Sequence, residues 1–261
     1  MKTMLLTMAL AMGVCLGVNA QIKIGGKKID TKKVLNAAED VGKAITLSDA
    51  DIVAISKEYI DWMDENNPVA GPDTEMGARL ERLTSNLKGV DGLNLNFKVY
   101  YVVDVNAFAC GDGSIRVCGG LMEVMDDAEV MAVIGHEIGH VVSTDVKDAM
   151  KNAYLRSAAK NVVGAAGGVA QALTDSQLGE LADAFGDAQF SQKQEYAADD
   201  HAFKFCIQND IDPYGMANAL DKLVDLSSGA KSSTVQKMFS SHPDSEKRAK
   251  RMREKADDYT K

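Results

Sequence analysis

The feature that most constrains this chain is an apolar helical segment that contains three ionisable residues, His136, Glu137 and His140. Apolar residues recur at helical spacing around them, so the stretch 130–142 predicts one largely buried helix. Two histidines four residues apart lie on one face of a helix, one turn from each other. Their imidazoles can therefore reach a single zinc ion at about 2.0–2.1 Å. Because burying unpaired ionisable groups is costly, the segment favours a metal site.

Glu137 lies about 100° around the helix from His136, which places its carboxylate beside the metal rather than among the ligands. A carboxylate in that position can take a proton from a water molecule whose pKa the zinc lowers towards 7. The sequence thus predicts the catalytic helix of a zinc hydrolase, with His136 and His140 as ligands and Glu137 as the general base. An ordinary amphipathic helix is the alternative, since the spacing also arises by chance.

A third protein ligand is needed, because catalytic zinc sites take three and keep one position open. The metzincin class is excluded, since Ser143 and Val146 stand where it requires a glycine and a histidine. A later helical segment offers Glu195 and Asp199 on one face, while His201 lies about 240° around that helix from Glu195. We expect Glu195 to bind the metal and Asp199 to hydrogen-bond a metal-bound histidine. A solvated acidic helix face is the alternative.

The first twenty residues have the pattern of a secretory signal peptide. A basic start at Lys2 precedes the apolar run 5–18, and small residues end at Ala20. The run is too short to predict a membrane span. We expect cleavage after Ala20 and export to the periplasm or the medium. A lipid anchor on Cys15 is the alternative, but Val14 stands where a small residue usually precedes such a cysteine.

The charge and the composition limit the partners and the domain count. The 261 residues have a formal net charge of −9, which becomes −10 when Lys2 leaves with the signal peptide. An acidic surface opposes binding to nucleic acid. We expect a lead-in and helical segment at 21–72 and a single catalytic domain at 73–261, since no repeat divides the latter. The Ala/Gly-rich stretch 157–173 indicates a close-packed or mobile helical arm.

A small sheet is expected before the catalytic helix. The β-branched and aromatic run 97–105 predicts one strand, and 115–118 predicts another that pairs with what precedes it. Cys110 and Cys118 flank a turn sequence and are expected to form a disulfide across a hairpin, with two buried free thiols as the alternative. The fold class is α+β and mostly helical, with a small sheet packed on the zinc-binding helix. Further helices are expected at 31–45, 48–66, 74–87, 145–160, 176–188, 191–209, 213–226 and from 243 onward.

Three motifs together resemble those of a known family. They are His-Glu-Ile-Gly-His at 136–140, Glu-Tyr-Ala-Ala-Asp at 195–199 and Ser-His-Pro at 241–243. The combination resembles the HtpX/Oma-type zinc metallopeptidases, which are glutamate-ligand zincins and include the prenyl-protein CAAX proteases. The likeness covers about residues 75–255 and is strongest to a periplasmic subgroup. The membrane helices of HtpX have no counterpart in this sequence.

The resemblance implies a zincin-like domain that cleaves internal bonds of unfolded or membrane-associated proteins in quality control of the bacterial envelope. It brings His242 to the zinc, where the imidazole can stabilise the oxyanion of the transition state; a helix cap is the alternative. Arg248 is expected to orient an acidic group of the site or the substrate, against an exposed charge on a basic helix. An edge strand with Asn106, Ala107 and Phe108 is expected to hydrogen-bond an extended peptide, against a purely structural sheet.

Two functions remain open from the sequence. One is a zinc endopeptidase with one Zn²⁺ per chain, and the other is a metal-binding chaperone or adaptor that uses the same groove with little turnover. A complete ligand set together with Glu137 favours the enzyme, because a protein that had lost catalysis would usually lack one of these residues. The sequence indicates neither the physiological substrates nor the oligomeric state.

Overall fold

The computed structural model describes residues 22–24, 27–29, 47–160, 173–228 and 232–261. The predicted signal peptide, the predicted helix 31–45 and most of the Ala/Gly-rich stretch lie outside these residues. Strands β1 (Ile22–Ile24) and β2 (Lys27–Ile29) pair antiparallel with each other.

Residues Thr46–Lys261 form one compact unit, within which the described part is mostly helical. The predicted helices that fall in the described residues are all present, whereas α3 and α9 were not predicted. None of the described helices is long and apolar enough to cross a membrane. The helices are α1 (Asp49–Asn66), α2 (Glu75–Thr84), α3 (Gly119–Val124), α4 (Asp127–Val142), α5 (Asp145–Lys160), α6 (Asp175–Gly186), α7 (Gln192–Gln208), α8 (Gly215–Ser227), α9 (Ser232–Ser241) and α10 (Ser245–Thr260).

The predicted small sheet has three strands, β3 (Asn96–Tyr100), β4 (Ala107–Ala109) and β5 (Ser114–Cys118). Strand β5 is central, parallel to β3 and antiparallel to β4. All five residues of β5 are buried, as expected of a strand that is covered on both faces. Strand β4 lies at the edge of this sheet and packs against α4, so the expected contact between the sheet and the predicted zinc-binding helix is confirmed.

The predicted disulfide between Cys110 and Cys118 is wrong, because both cysteines are free and buried. The hairpin forms, but its turn begins directly after Cys110, whose N–H donates to the Ser114 carbonyl at 2.8 Å. Cys118 lies at the far end of β5, where its N–H donates to the Asn106 carbonyl at 2.9 Å. About 13 Å of strand therefore separates the two cysteines, far more than a disulfide spans. Burial raises the pKa of the Cys118 thiol to about 12.

Helix α1 is fixed to the sheet by a buried ion pair. The Arg116 guanidinium on β5 is 1% exposed and donates to both carboxylate oxygens of Asp64, at 2.8 and 2.9 Å. The Tyr100 hydroxyl donates to Asp64 at 2.7 Å. Although burial alone would raise it, the pKa of Asp64 is lowered by these hydrogen bonds. Because α1 lies within the compact unit, the predicted boundary between residues 72 and 73 falls inside that unit.

Two glycines allow α4 and α7 to pack closely. A Cβ atom added at Gly135 would lie 2.6 Å from the Phe205 ring, and one added at Gly139 would lie 3.0 Å from the Ala198 Cα. Contacts this short leave no room for a larger side chain without a shift of the helices. The glycines therefore set the separation of the two helices that carry the candidate ligands.

Candidate metal centre

Four buried side chains from α4, α7 and the loop before α10 converge: His136, His140, Glu195 and His242. Their possible ligand atoms all lie within 4.8 Å of one another. The Nε2 atoms of His136 and His140 are 3.1 Å apart, and Glu195 oxygens lie 3.4 Å from His140 Nε2 and 3.6 Å from His136 Nε2. Ligand atoms of a tetrahedral zinc site are about 3.3 Å apart, given bonds of about 2.0–2.1 Å. The donor set therefore fits one zinc ion.

The loop that carries His242 is tied to the start of α7. The Phe190 N–H donates to the Ser241 carbonyl at 3.1 Å, and Gln192 Nε2 donates to the Asp244 carboxylate at 2.8 Å. The Phe190 ring also stacks on the His140 ring, with centroids 4.0 Å apart and planes at 16°. These contacts bring a residue far along the chain to the two histidines of α4.

Behind His136 lies the carboxylate that the sequence indicated, Asp199. Its Oδ1 atom is 3.0 Å from His136 Nδ1, while Arg248 donates to both Asp199 oxygens at 2.9 and 2.7 Å. Arg248 is 1% exposed and also contacts Glu195, so the alternative of an exposed charge is wrong. Burial would raise the pKa of Asp199, but the hydrogen bonds from Arg248 and His136 lower it to about 2.

Behind His140 lies a carboxylate that the sequence analysis missed, Asp145. Its Oδ2 atom is 3.0 Å from His140 Nδ1. The sequence did contain a signal, because an acidic residue five positions after His140 opens the next helix. Helical geometry alone, however, does not predict that this carboxylate lies beside the histidine. Burial opposes protonation of His140, yet Asp145 and Glu195 raise its pKa to about 9, whereas burial lowers the pKa of His136 to about 4.

Each histidine of α4 therefore has its Nδ1 atom beside a carboxylate. A carboxylate accepts a hydrogen bond, so the Nδ1 atom carries the proton and the Nε2 atom is free to bind a metal. Both Nε2 atoms point to the same small volume, next to the Glu195 carboxylate. Burial alone would raise the pKa of Glu195, but His242 and His140 lower it, so this candidate ligand carboxylate stays ionised.

Glu137 stands beside this group and is not one of its four candidate ligands. Its carboxylate is 1% exposed, and its Oε1 atom has no hydrogen-bond partner among the described residues. The Glu137 Oε1 atom lies 3.8 Å from His242 Nε2. Burial raises the pKa of Glu137 above its ordinary value, which makes the carboxylate a stronger base.

Glu137 and His242 both line a cavity of about 340 Å³. The predicted substrate-strand residues Asn106, Ala107 and Phe108 form another part of its wall, and α1 and α6 contribute further lining residues. His201 is not part of the group, because its Nδ1–H donates to the Gly135 carbonyl at 2.8 Å. The structure thus brings the predicted ligands, the predicted base and the predicted strand to one place.

Comparison with known proteins places these residues in a wider context. The sequence model of Peptidase family M48 matches residues 73–256. Metalloprotease LoiP of Escherichia coli (strain K12) is 38% identical over 237 residues, which cover 90% of this chain and 92% of that protein. Metalloprotease YcaL of the same organism is 36% identical over 256 residues, 98% of each chain. A Protease HtpX homolog of Streptococcus pyogenes is 27% identical over 203 residues, covering 60% of this chain and 66% of its own length.

Proposed function

The chain belongs to peptidase family M48 and is a metallopeptidase, and from that premise we propose that it is a zinc-dependent endopeptidase of the bacterial cell envelope. Its proposed substrates are unfolded, damaged or membrane-associated polypeptides, in a quality-control role. One observation carries the catalytic part of this proposal: Glu137 lies buried beside the cluster of His136, His140 and Glu195, and its Oε1 atom has no hydrogen-bond partner among the described residues.

In this proposal His136, His140 and Glu195 hold one zinc ion. When bound, zinc supplies Lewis acidity, which polarises the scissile carbonyl and lowers the pKa of water. Glu137 accepts the proton of the attacking water and delivers it to the leaving amine, a role that suits its raised pKa. Arg248 holds Asp199 against His136 and also contacts Glu195, so it positions one ligand from each helix.

His242 has a different role from the three ligands in this proposal. Its Nδ1 atom lies 3.0 Å from Glu195 Oε1, which also makes it a candidate fourth ligand. A fourth protein ligand would close the position that catalysis requires to be open. We therefore assign His242 to the oxyanion, as a hydrogen-bond donor to the substrate oxygen when negative charge develops there.

The edge strand β4 accounts for cleavage of chemically varied polypeptides. An extended peptide that pairs with a strand edge is held mainly by main-chain hydrogen bonds, which every sequence can form. Asn106, Ala107 and Phe108 line the cavity beside Glu137, so a peptide paired with them passes the base. Export through the predicted signal peptide, with a mature start at Gln21, supports the envelope location. A lipid anchor on Cys15 is the alternative form of that location.

Removing the metal is the direct test of the proposed function. The purified mature chain is expected to contain about one zinc per chain and to cleave casein at internal bonds. A chelator should abolish cleavage, and added zinc should restore it, because the ligands persist in the metal-free chain. Zinc analysis together with mass spectrometry of the casein fragments measures both properties. A zinc-loaded protein that slows aggregation of an unfolded client but leaves casein intact would favour the chaperone alternative.

Replacing His242 with phenylalanine separates its possible roles. We expect normal zinc content and KM, with kcat lower by about 10²–10³-fold, because one oxyanion donor is lost. A ligand role predicts lost zinc instead. A helix-capping role predicts a lower melting temperature with nearly normal turnover of the folded fraction. Zinc content, melting temperature and kcat of this variant decide among the three, and an unchanged kcat rules out the oxyanion role.

A further inference from the structure

The two histidines of α4 are oriented by carboxylates with different partners. Asp199, behind His136, is paired with the guanidinium of Arg248. Asp145, behind His140, is 7% exposed and has no lysine or arginine partner among the described residues. Its second oxygen, Oδ1, instead accepts a hydrogen bond from Gln194 Nε2 at 2.8 Å. A neutral amide therefore holds the carboxylate that faces His140.

The amide of Gln194 is fixed at both ends. Its Oε1 atom accepts from the Ser191 N–H at 2.9 Å and from the Ser191 hydroxyl at 2.7 Å, in the capping box that starts α7. Its Nε2 atom must then face Asp145, because a flipped amide would set donor against donor at Ser191 and acceptor against acceptor at Asp145. Hydrogen bonds thus run without a break from the start of α7 to His140.

The backbone between α4 and α5 returns Asp145 to the histidine. Thr144 has φ 63°, a left-handed conformation that is strained for a β-branched residue. Its N–H donates to the Val141 carbonyl at 3.1 Å, and its carbonyl accepts from Lys147 and Asp148 N–H at 3.0 and 3.1 Å. Such a residue costs on the order of 1–3 kcal/mol and persists only where the surroundings hold it. Here the turn places Asp145, the first residue of α5, next to His140 in the last turn of α4.

We propose that Asp145 and Gln194 together are positioning residues for the metal site. Asp145 fixes the proton on His140 Nδ1 and the direction of Nε2. Gln194 precedes Glu195 in the first turn of α7, so the amide that holds Asp145 and the carboxylate ligand move as one unit. The Asp145–Gln194 pair therefore sets the distance between two ligands that come from different helices. This inference rests on the proposed zinc site.

An exchange of the two side chains tests the pair. Asp145→Asn sets two amide donors against each other, and Gln194→Glu sets two carboxylates against each other, so each single change should weaken zinc affinity. About 10–100-fold is expected for Asp145→Asn, as for other groups that orient a ligand. In the double variant Asp145→Asn/Gln194→Glu, the new amide at position 145 can accept from His140 and donate to the new carboxylate at position 194. Glutamate also serves in a capping box. The double variant should therefore bind zinc at least tenfold more tightly than the single variant that binds it less tightly.

The measurements separate positioning of the metal from folding. The zinc dissociation constant of the folded protein comes from competition with a chromogenic chelator, and the visible spectrum of the cobalt-substituted protein reports the ligand geometry. The melting temperature of the metal-free protein reports stability. Asp148→Asn is the matched control, because Asp148 lies in the same first turn of α5 but is exposed. We expect this control to keep the wild-type zinc affinity and cobalt spectrum.

Each result decides the question. Weaker zinc binding by both single variants, an altered cobalt spectrum and recovery in the double variant support the inference. A lower metal-free melting temperature with unchanged zinc affinity and cobalt spectrum overturns it, since that is the result of a purely structural contact. A double variant no better than the single variants overturns the coupling between the two residues. If the wild-type chain itself binds no zinc, the proposed function fails together with this inference. If the wild-type chain binds zinc and Asp145→Asn binds it equally tightly, this inference alone fails.

Discussion

Glu137→Gln is expected to keep about one zinc per chain and to lower kcat for peptide cleavage by about 10²–10⁴-fold. Glutamine has nearly the size of glutamate, so it fits the site where Glu137 is 1% exposed. The amide cannot accept the proton of the attacking water at neutral pH. The three candidate ligands are unchanged, and KM should change little because no proposed substrate contact is removed. Single-turnover cleavage of a quenched peptide, with zinc analysis of the same sample, measures both expectations.

Glu123→Gln is the matched control for this variant. Glu123 lies exposed on α3, outside the residues that line the cavity, so its zinc content and kcat should equal those of the wild type. A Glu137→Gln protein that is zinc-loaded and cleaves peptide at the wild-type rate would show that another group is the base. Loss of zinc from Glu137→Gln would instead make this residue part of the ligand set.

Glu195→Ala is expected to remove most of the bound zinc and, with it, the peptidase activity. The change takes one of three ligands from the ion and leaves the buried Arg248 with Asp199 as its remaining carboxylate partner. Removing one partner of a buried ion pair typically costs about 3–5 kcal/mol of stability, so the zinc content of this variant is measured on its folded fraction. Glu195→Gln keeps the size of the side chain but removes its negative charge, so zinc affinity should fall in this variant too. Zinc titration against a chelator measures the loss.

His201→Gln is the comparison that shows whether the correct residue of α7 was chosen. Its side chain lies on the same helix but donates to the Gly135 carbonyl, and glutamine can keep that hydrogen bond. We expect the wild-type zinc affinity from this variant. If His201→Gln loses the metal while both Glu195 variants keep it, the assignment of the third ligand is wrong.

The ligand helices could be predicted because their geometry is local. Once a segment is helical, the positions of His136 and His140 relative to each other follow from the helical repeat, and the same holds for Glu195 and Asp199. The sheet and its contact with α4 also followed from β-branched runs next to an apolar helix. These features need no knowledge of distant residues.

The missed features depend on the backbone path or on contacts between distant segments. Asp145 reaches His140 only because Thr144 adopts a positive φ, which the sequence around it does not demand. The role of Arg248 stayed open between orienting an acidic group and an exposed charge, because its own helix has the composition of an exposed one and its burial depends on the distant carboxylates of α7. The disulfide prediction placed the turn correctly but not its register, and β5 extends the hairpin from Ser114 to Cys118.

The short helices α3 and α9 were missed for a different reason. Helix α3 begins with two glycines directly after a strand, and a run of six residues has too few positions for a helical period to be visible. Helix α9 follows a serine-rich sequence, and only a few apolar residues such as Val235 and Met238 are buried on it. Both helices form because the rest of the fold packs against them.

The candidate metal centre joins parts of the chain that are far apart in sequence, since His136 and His242 are separated by 106 residues. An ion held there stabilises the folded chain over the unfolded one, by about 2.7 kcal/mol when free zinc is a hundred times its dissociation constant. Scarcity of zinc would therefore lower not only the activity of each molecule but also the number of molecules that stay folded. With the proposed function, an unloaded copy that unfolds becomes a substrate for the loaded copies, so the abundance of the enzyme would follow the zinc supply of its compartment.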